Sequence, residues 1–374
     1  MNIQQTHIDR FVENLWKDTR LLQIVTSKDC TVFRRHADKQ TSIQEEYTLL
    51  MHLTELISFN IPRIFAHTPA CISYEYIYGT RAFNLITDLK DLFDSNENHH
   101  YIDLGLQLME MLRSNLSNFQ NKTSQASSLK YITRKYPAEE KIHDLYELLG
   151  EVLSLENLDW AAINEDLQSI TTVYNDASDK LFRDATPKNV ILNIPVLHLN
   201  RFKNRGQRLQ KVKEMVNSGE LKDFLVNENL YHIDFSGCLF LCPEIDDWIA
   251  LEHHEATHWL SEHLGRVLVE DDPVNLCTLF VRFSRFGGRK LAYKLLNHSG
   301  YQIRFGLDNE SFYFSYLKRI CEKLIEQEII SNKYLITLMD VLFEACTVIP
   351  AVDYLHTFRK DLSETPYYQD VYPN

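Results

Sequence analysis

The chain has 374 residues, 44% hydrophobic and 24% charged, the proportions of a globular protein long enough to hold two lobes with their own cores. Its net charge of -13 argues against a general nucleic-acid binder, which carries a basic surplus. Seven scattered cysteines without a C-x-x-C pair, no apolar run near the roughly 18 residues of a membrane span, and no apolar signal core in "MNIQQTHIDRFVENLWK" lead to the expectation of a cytoplasmic protein with no membrane partner.

In chain order, "HIDRFVENLW" (7–16) has apolar residues at helical spacing. "RLLQIVTSKDCTVFRRH" reads as a hairpin around a Ser-Lys-Asp turn. "SIQEEYTLLMHLTELI" reads as an amphipathic helix, with Thr41 or Ser42 as N-cap and Glu45 in the first turn. "IPRIFAHTPACISYEYIYG" gives two strands split at Thr68-Pro69 and ending at Gly79. That order, strand-strand-helix-strand-strand, predicts a small sheet carrying one helix.

Beyond about residue 80 the pattern turns helical. "NHHYIDLGLQLMEMLRSNLSNF", "AEEKIHDLYELLGEVLSL" and "AAINEDLQSITTVY" are helices, and "NKTSQASSLKYITRKYP" between them reads as a surface loop. "EIDDWIALEHHEATHWLSEHLGRVLV" reads as one long helix, and Asn275 to about Arg359 as mostly helical. The expected division is 1–78, β-rich, and 79–374, mainly helical.

Two aspartate-bearing stretches interrupt the helical part: "LFRDATPKNVIL" (Leu181–Leu192) and "YHIDFSGC", which starts at Tyr231. Phosphoryl transfer needs a carboxylate for the acceptor hydroxyl and oxygen ligands for magnesium on the phosphates. Asp184, with Asn189 five residues on, and Asp234 at the end of a second strand provide hard oxygen donors of that kind.

This pattern resembles the kinase-like phosphotransferases, the superfamily of aminoglycoside and choline kinases and of protein kinases. "FRDATPKN" resembles their catalytic loop and "IDFSG" their metal-binding segment. The resemblance implies that Asp184 is the catalytic base and that Asn189 and Asp234 are the magnesium ligands. "EIDDWIAL" resembles the helix after the metal segment. Asp247 matches its aspartate better than Asp246, with a structural supporting role shared by Arg183. In "TVFRR" Arg34 falls at the phosphate-binding lysine of the front sheet. Glu46 of "EYTLLMHL" matches that lysine's partner, and "YEYIYG" resembles the adenine-pairing hinge, here the backbone of Glu75, Tyr76 and Ile77.

The resemblance thus implies an α+β, bilobal protein-kinase-like fold with a small β-rich N-lobe and a large mainly helical C-lobe. It also implies an Mg2+-dependent phosphotransferase using ATP or GTP on a hydroxyl of a small molecule.

Three features depart from the pattern. "LWKDTRLLQIV" lacks the glycine that admits backbone amides to a phosphate, leaving Lys17, Thr19 or Arg20 for that task. Phe182 replaces the usual histidine, and no activation segment follows Asp234. The missing glycine supports an alternative, a catalytically weak pseudokinase that binds nucleotide or a protein partner, and the missing activation segment argues against protein-kinase activity. In addition, a long insert replaces the tight hairpin between Asn189 and Asp234. Its 198–213 stretch carries Arg201, Lys203, Arg205, Arg208, Lys211 and Lys213 with no acid between them. It reads either as an electropositive flap for an anionic substrate or partner, or as a solvated helix capping the lobe.

A competing motif is "HEATH". On one helix His254 and His258 would share a face and bind zinc, with Glu255 activating water in a zinc hydrolase. No third ligand stands at the expected spacing, and the same residues read equally as surface histidines of a helix.

Overall fold

A computed structural model describes residues 22–26, 31–36, 43–56, 60–126, 129, 134–135, 139–177, 180–181, 185–226, 230–235, 240–252, 255–264, 271–288, 291, 310–331 and 333–348. The helix expected over 7–16 and the caps Thr41 and Ser42 lie outside these residues.

Strands β1 (Leu22–Thr26) and β2 (Thr31–His36) pair antiparallel, as the hairpin pattern predicted. Helix α1 (Ile43–Leu56) follows. Strands β3 (Ile64–Thr68) and β4 (Cys71–Glu75) then flank a tight turn at Pro69-Ala70. The Thr68 hydroxyl fixes that turn by accepting the amides of Ala70 at 3.3 Å and Cys71 at 3.1 Å. The sheet is antiparallel throughout, in the order β1-β2-β4-β3. Helix α1 buries Ile43, Leu49, Leu50 and Leu53, spaced to form one stripe, and they pack with Ile72 of β4.

The rest is mainly helical, so the architecture is α+β: a small β-rich front with one helix and a large helical lobe behind it. Strand β5 (Thr80–Arg81) leads into α2 (Ala82–Asn96) and α3 (His100–Ser124). After β6 (Arg134–Lys135) come α4 (Glu139–Val152) and α5 (Trp160–Asp176), the latter capped by the Asp159 carboxylate on the Ala162 amide. Strands β7 (Lys180–Leu181) and β8 (Val190–Leu192) precede α6 (Arg205–Ser218) and α7 (Glu220–Val226). Asn204 caps the start of α6, and Gly219, at φ 81°, ends it in the left-handed conformation that glycine adopts without cost. Strands β9 (Leu230–His232) and β10 (Phe240–Cys242) lead to α8 (Glu244–Glu252), α9 (Glu255–Leu264) and α10 (Pro273–Phe283), which runs on into a π-turn over Ser284–Gly288. Helices α11 (Glu310–Glu326) and α12 (Tyr334–Val348) complete the described lobe. Two small sheets, β5-β8-β9 and β6-β10-β7, sit within it. No described helix is long and apolar enough to cross a membrane.

Two expectations change. The single helix from Glu244 is two helices, α8 and α9. The Ser261 hydroxyl donates to the Glu252 carbonyl at 2.5 Å and the Thr257 hydroxyl to that of Leu251 at 2.6 Å. Residues nine apart in a continuous helix lie about 13.5 Å apart along the axis, so these bonds require the chain to fold back. The expected surface loop at 121–137 is also more structured than its polar composition suggests. Helix α3 runs to Ser124, Leu129 is buried in the front core, and Arg134–Lys135 pairs with β10.

Candidate active site

The site is built on the hairpin of β8 and β9, whose ladder pairs Val190 with His232, Ile191 with Tyr231 and Leu192 with Leu230. One residue beyond the ladder, the Ile233 amide donates to the Asn189 carbonyl oxygen at 2.9 Å. Asn189 and Asp234, far apart in sequence, therefore stand at the same end of one hairpin. Asn189 closes a 3-10 turn over Pro187–Asn189, held by its amide on the Thr186 carbonyl at 2.8 Å. Pro187 at the first position suits this turn because its fixed φ fits and its missing N–H costs no bond. Asp234 is solvent-exposed at φ 60°, a left-handed conformation that Asp tolerates better than most side chains and that costs about 1 kcal/mol or more. The hairpin end thus holds one amide and one carboxylate, the hard oxygen donors that magnesium prefers.

One apolar cluster carries this hairpin end, the strand before the predicted catalytic loop, and α1. Phe235, next to Asp234, is buried with Leu181 of β7, Phe119 of α3, Ile72 of β4, and Ile43, Leu49, Leu50 and Leu53 of α1. The segment that carries Asp234 is therefore anchored in the same apolar cluster as α1. Sequence reading gave Phe235 no role. The only available signal was an aromatic residue after the aspartate in an otherwise polar turn.

Glu46 of α1 is buried and accepts a hydrogen bond from the Tyr74 hydroxyl at 2.8 Å. In the β2–β4 register Arg34 stands opposite Ser73, whereas Phe33 and Arg35 stand opposite Tyr74 and Ile72. Ile72 and Tyr74 belong to the face that meets α1, and side chains alternate along a strand. The register position on Glu46's side of the sheet is thus that of Arg35.

Along the predicted hinge, the Glu75 amide donates to the Arg63 carbonyl at 2.7 Å and a Glu75 carboxylate oxygen accepts the Arg63 amide at 3.3 Å. The Tyr76 hydroxyl lies 3.0 Å from His198 Nε2, and Ile77 is buried. A Cβ added at Gly79 would sit 2.0 Å from the Leu192 carbonyl oxygen, so only glycine lets the hinge end lie against β8.

Asp184, Arg183 and Phe182 lie outside the described residues, as do Lys17, Thr19 and Arg20. Asp246 and Asp247 are both buried in the first turn of α8. Asp246 faces the buried Arg282 of α10, with Nε and Oδ1 3.4 Å apart, so α8 is tied to α10 through Asp246. Helix α3 holds α8 from the other side. Gln120 donates to the Glu244 carbonyl at 2.9 Å and accepts from the Trp248 indole at 3.1 Å, and Arg113 forms a buried ion pair with Glu252. Burial pushes the thiol of Cys242, in the adjoining β10, well up, and the nearby Asp246 adds to the shift. That makes it a poor nucleophile.

The basic run divides. Arg201, Lys203 and Arg205 are exposed, and Arg205 pairs with Asp91 at 2.5 Å. Arg208 is buried and points into the protein: Nε donates to Asp88 at 2.6 Å, one terminal nitrogen to the Leu197 carbonyl at 2.6 Å and the other to the Thr80 hydroxyl at 2.7 Å. The acids absent from the run are supplied by α2, which the sequence pattern did not show. Of "HEATH", His254 lies outside the described residues, and His258 is half-buried on α9. Among the described residues no three His, Cys, Asp or Glu are placed to hold a metal ion.

No protein-family model matches the chain, and none of the curated proteins matches it. Among solved structures it is similar to a spectinomycin phosphotransferase in complex with ADP and spectinomycin, at 12% identity and a TM-score of 0.42, covering 88% of this chain and 91% of the other. It is also similar to an aminoglycoside 2'-phosphotransferase in its GDP complex, at 14% identity and a TM-score of 0.37, covering 87% of this chain and 99% of the other.

Proposed function

We propose that the protein is a phosphotransferase that moves the terminal phosphoryl group of ATP or GTP to a hydroxyl of a small molecule. The observation that carries this reading is the hairpin end, where Asn189 and Asp234 stand together on the strand pair that also receives the hinge through β5. Asn189 and Asp234 would hold magnesium, which when bound neutralises charge on the nucleotide phosphates. Asp184, five residues before Asn189, accepts the proton of the acceptor hydroxyl as the oxygen attacks phosphorus. The bond to the nucleoside diphosphate breaks, and the diphosphate leaves. Peptide groups of Tyr76 and Ile77 pair with the base, because the Glu75 amide is already used by Arg63.

The register favours Arg35 over Arg34 as the cation that pairs with Glu46 and meets the phosphates. Arginine at this position keeps the charge and offers a fork of donors rather than a point ammonium.

The test is thermal denaturation with and without millimolar MgATP or MgGTP. A ligand bound only by the native state raises the melting temperature by mass action. A melt that neither nucleotide moves overturns the reading.

A further inference from the structure

We infer that the insertion between β8 and β9 positions the hinge for nucleotide, with Arg208 and His198 as the positioning residues; this rests on the phosphotransferase reading. The segment from Tyr76 to Arg81 would be the pivot between the front sheet and the helical lobe, and the insertion grips it, and the helix that follows it, at three points. The Tyr76 hydroxyl meets His198 at 3.0 Å, with the Tyr78 ring beside the same imidazole at a centroid distance of 5.4 Å. The Thr80 hydroxyl accepts from Arg208 at 2.7 Å. Asp88, on the first turns of α2 immediately after the hinge, accepts from Arg208 at 2.6 Å.

Each gripping residue is itself fixed within the insertion. His198 is buried, and its Nδ1 lies 2.5 Å from the Asn200 side-chain oxygen and 3.3 Å from the Asn200 amide nitrogen. Arg208 also donates to the Leu197 carbonyl, one residue before His198, so both clamps share one rigid piece. On its inner side the hinge ends on Gly79, lying against Leu192, and on the pairing of Thr80 with Leu192. The hinge is thus held between β8, which leads from Asn189, and the insertion that follows β8. A two-residue turn in place of the insertion would supply the inner contact only. Tyr76 directs its hydroxyl to His198, so its side chain belongs to the clamp, which leaves the hinge's peptide groups to pair with a base.

Arg208→Ala leaves Asp88 buried without its counter-charge and risks misfolding, so His198→Ala and Thr80→Val carry the test on the full chain. Two quantities are read: hydrogen exchange of the 76–81 amides without nucleotide, and affinity for MgATP and MgGTP by calorimetry. Each variant breaks one contact between the insertion and the hinge, and is expected to speed hinge exchange and weaken nucleotide binding by roughly two- to tenfold. His198→Gln, whose amide still reaches the Tyr76 hydroxyl, is expected to recover most of the loss. A residue with only a structural role would lower the melting temperature and leave the affinity of the folded fraction unchanged. Unchanged exchange, or faster exchange with wild-type affinity, overturns the inference while the phosphotransferase reading stands. A wild-type chain that binds neither nucleotide overturns both.

Discussion

The carbonyl oxygen of Asn189 accepts the amide hydrogen of Ile233 at 2.9 Å, bringing an asparagine and the aspartate after Ile233 to one hairpin end. Because Asp234 is exposed and its neighbour Phe235 anchors the segment, the carboxylate can be changed without opening the core.

Asp234→Asn, which keeps a side chain that tolerates the left-handed conformation, should therefore fold normally and lose the magnesium-dependent part of nucleotide stabilisation. For wild type at a hundred times Kd that stabilisation is about 2.7 kcal/mol. Melts with nucleotide plus magnesium and with nucleotide plus chelator separate the two parts. A full magnesium-dependent shift in the variant would remove Asp234 from the metal site.

Asp184→Asn should leave nucleotide affinity nearly unchanged and lower turnover by roughly 10²–10⁴-fold once an acceptor is identified, the usual contribution of general-base assistance. Steady-state rates beside calorimetric affinities make the distinction. Near-normal turnover on a genuine acceptor would displace Asp184 from the catalytic role.

Arg35→Ala should weaken nucleotide binding more than Arg34→Ala. A charge-assisted hydrogen bond contributes about 1.5–3 kcal/mol, or roughly 10–150-fold in affinity. The opposite ranking would mean that the cation comes from the other face of β2.

Acid should destabilise the fold through His198. Burial lowers its pKa below the ordinary 6.5, with Arg201 and Arg208 adding to the shift and the Asn200 hydrogen bond opposing it. Below about pH 6.5 the unfolded chain takes up a proton that the folded chain refuses, so stability falls with pH between the unfolded and folded pKa values. Melting temperatures from pH 8 to pH 5 should drop less for His198→Gln than for wild type. Parallel curves would exclude His198 as a source of acid sensitivity.

Protein purified without added zinc should contain well under one equivalent by metal analysis. A stoichiometric zinc lost in His254→Ala would move the chemistry to α9.

The front lobe was legible because its strands alternate and its turn residues Thr68-Pro69 have local chemistry. The pairing of Asn189 with the Asp234 strand followed from motif order. Three things were not legible, each because it depends on distant partners. Strand register, which separates Arg34 from Arg35, is set by β4 and α1 rather than by "TVFRR". The break after Glu252 is stabilised by hydroxyls of Ser261 and Thr257, which look like ordinary helix residues in sequence. Arg208 looked like one more solvated base in a run of bases, while Asp88 and Thr80 lie over a hundred residues upstream.

The interruption between β8 and β9 also bears on how the chain folds. A two-residue turn closes a hairpin locally, whereas about 37 residues separate these strands. Loop-closure entropy makes that closure roughly 2–3 kcal/mol more costly, comparable with what a ladder of three residue pairs returns. Docking of α6 on α2 and of α7 on α3 offsets that cost by bringing the two strands together. Asn189 and Asp234 then come together late, and a nascent or partly denatured chain can be compact and helical before this hairpin end is assembled.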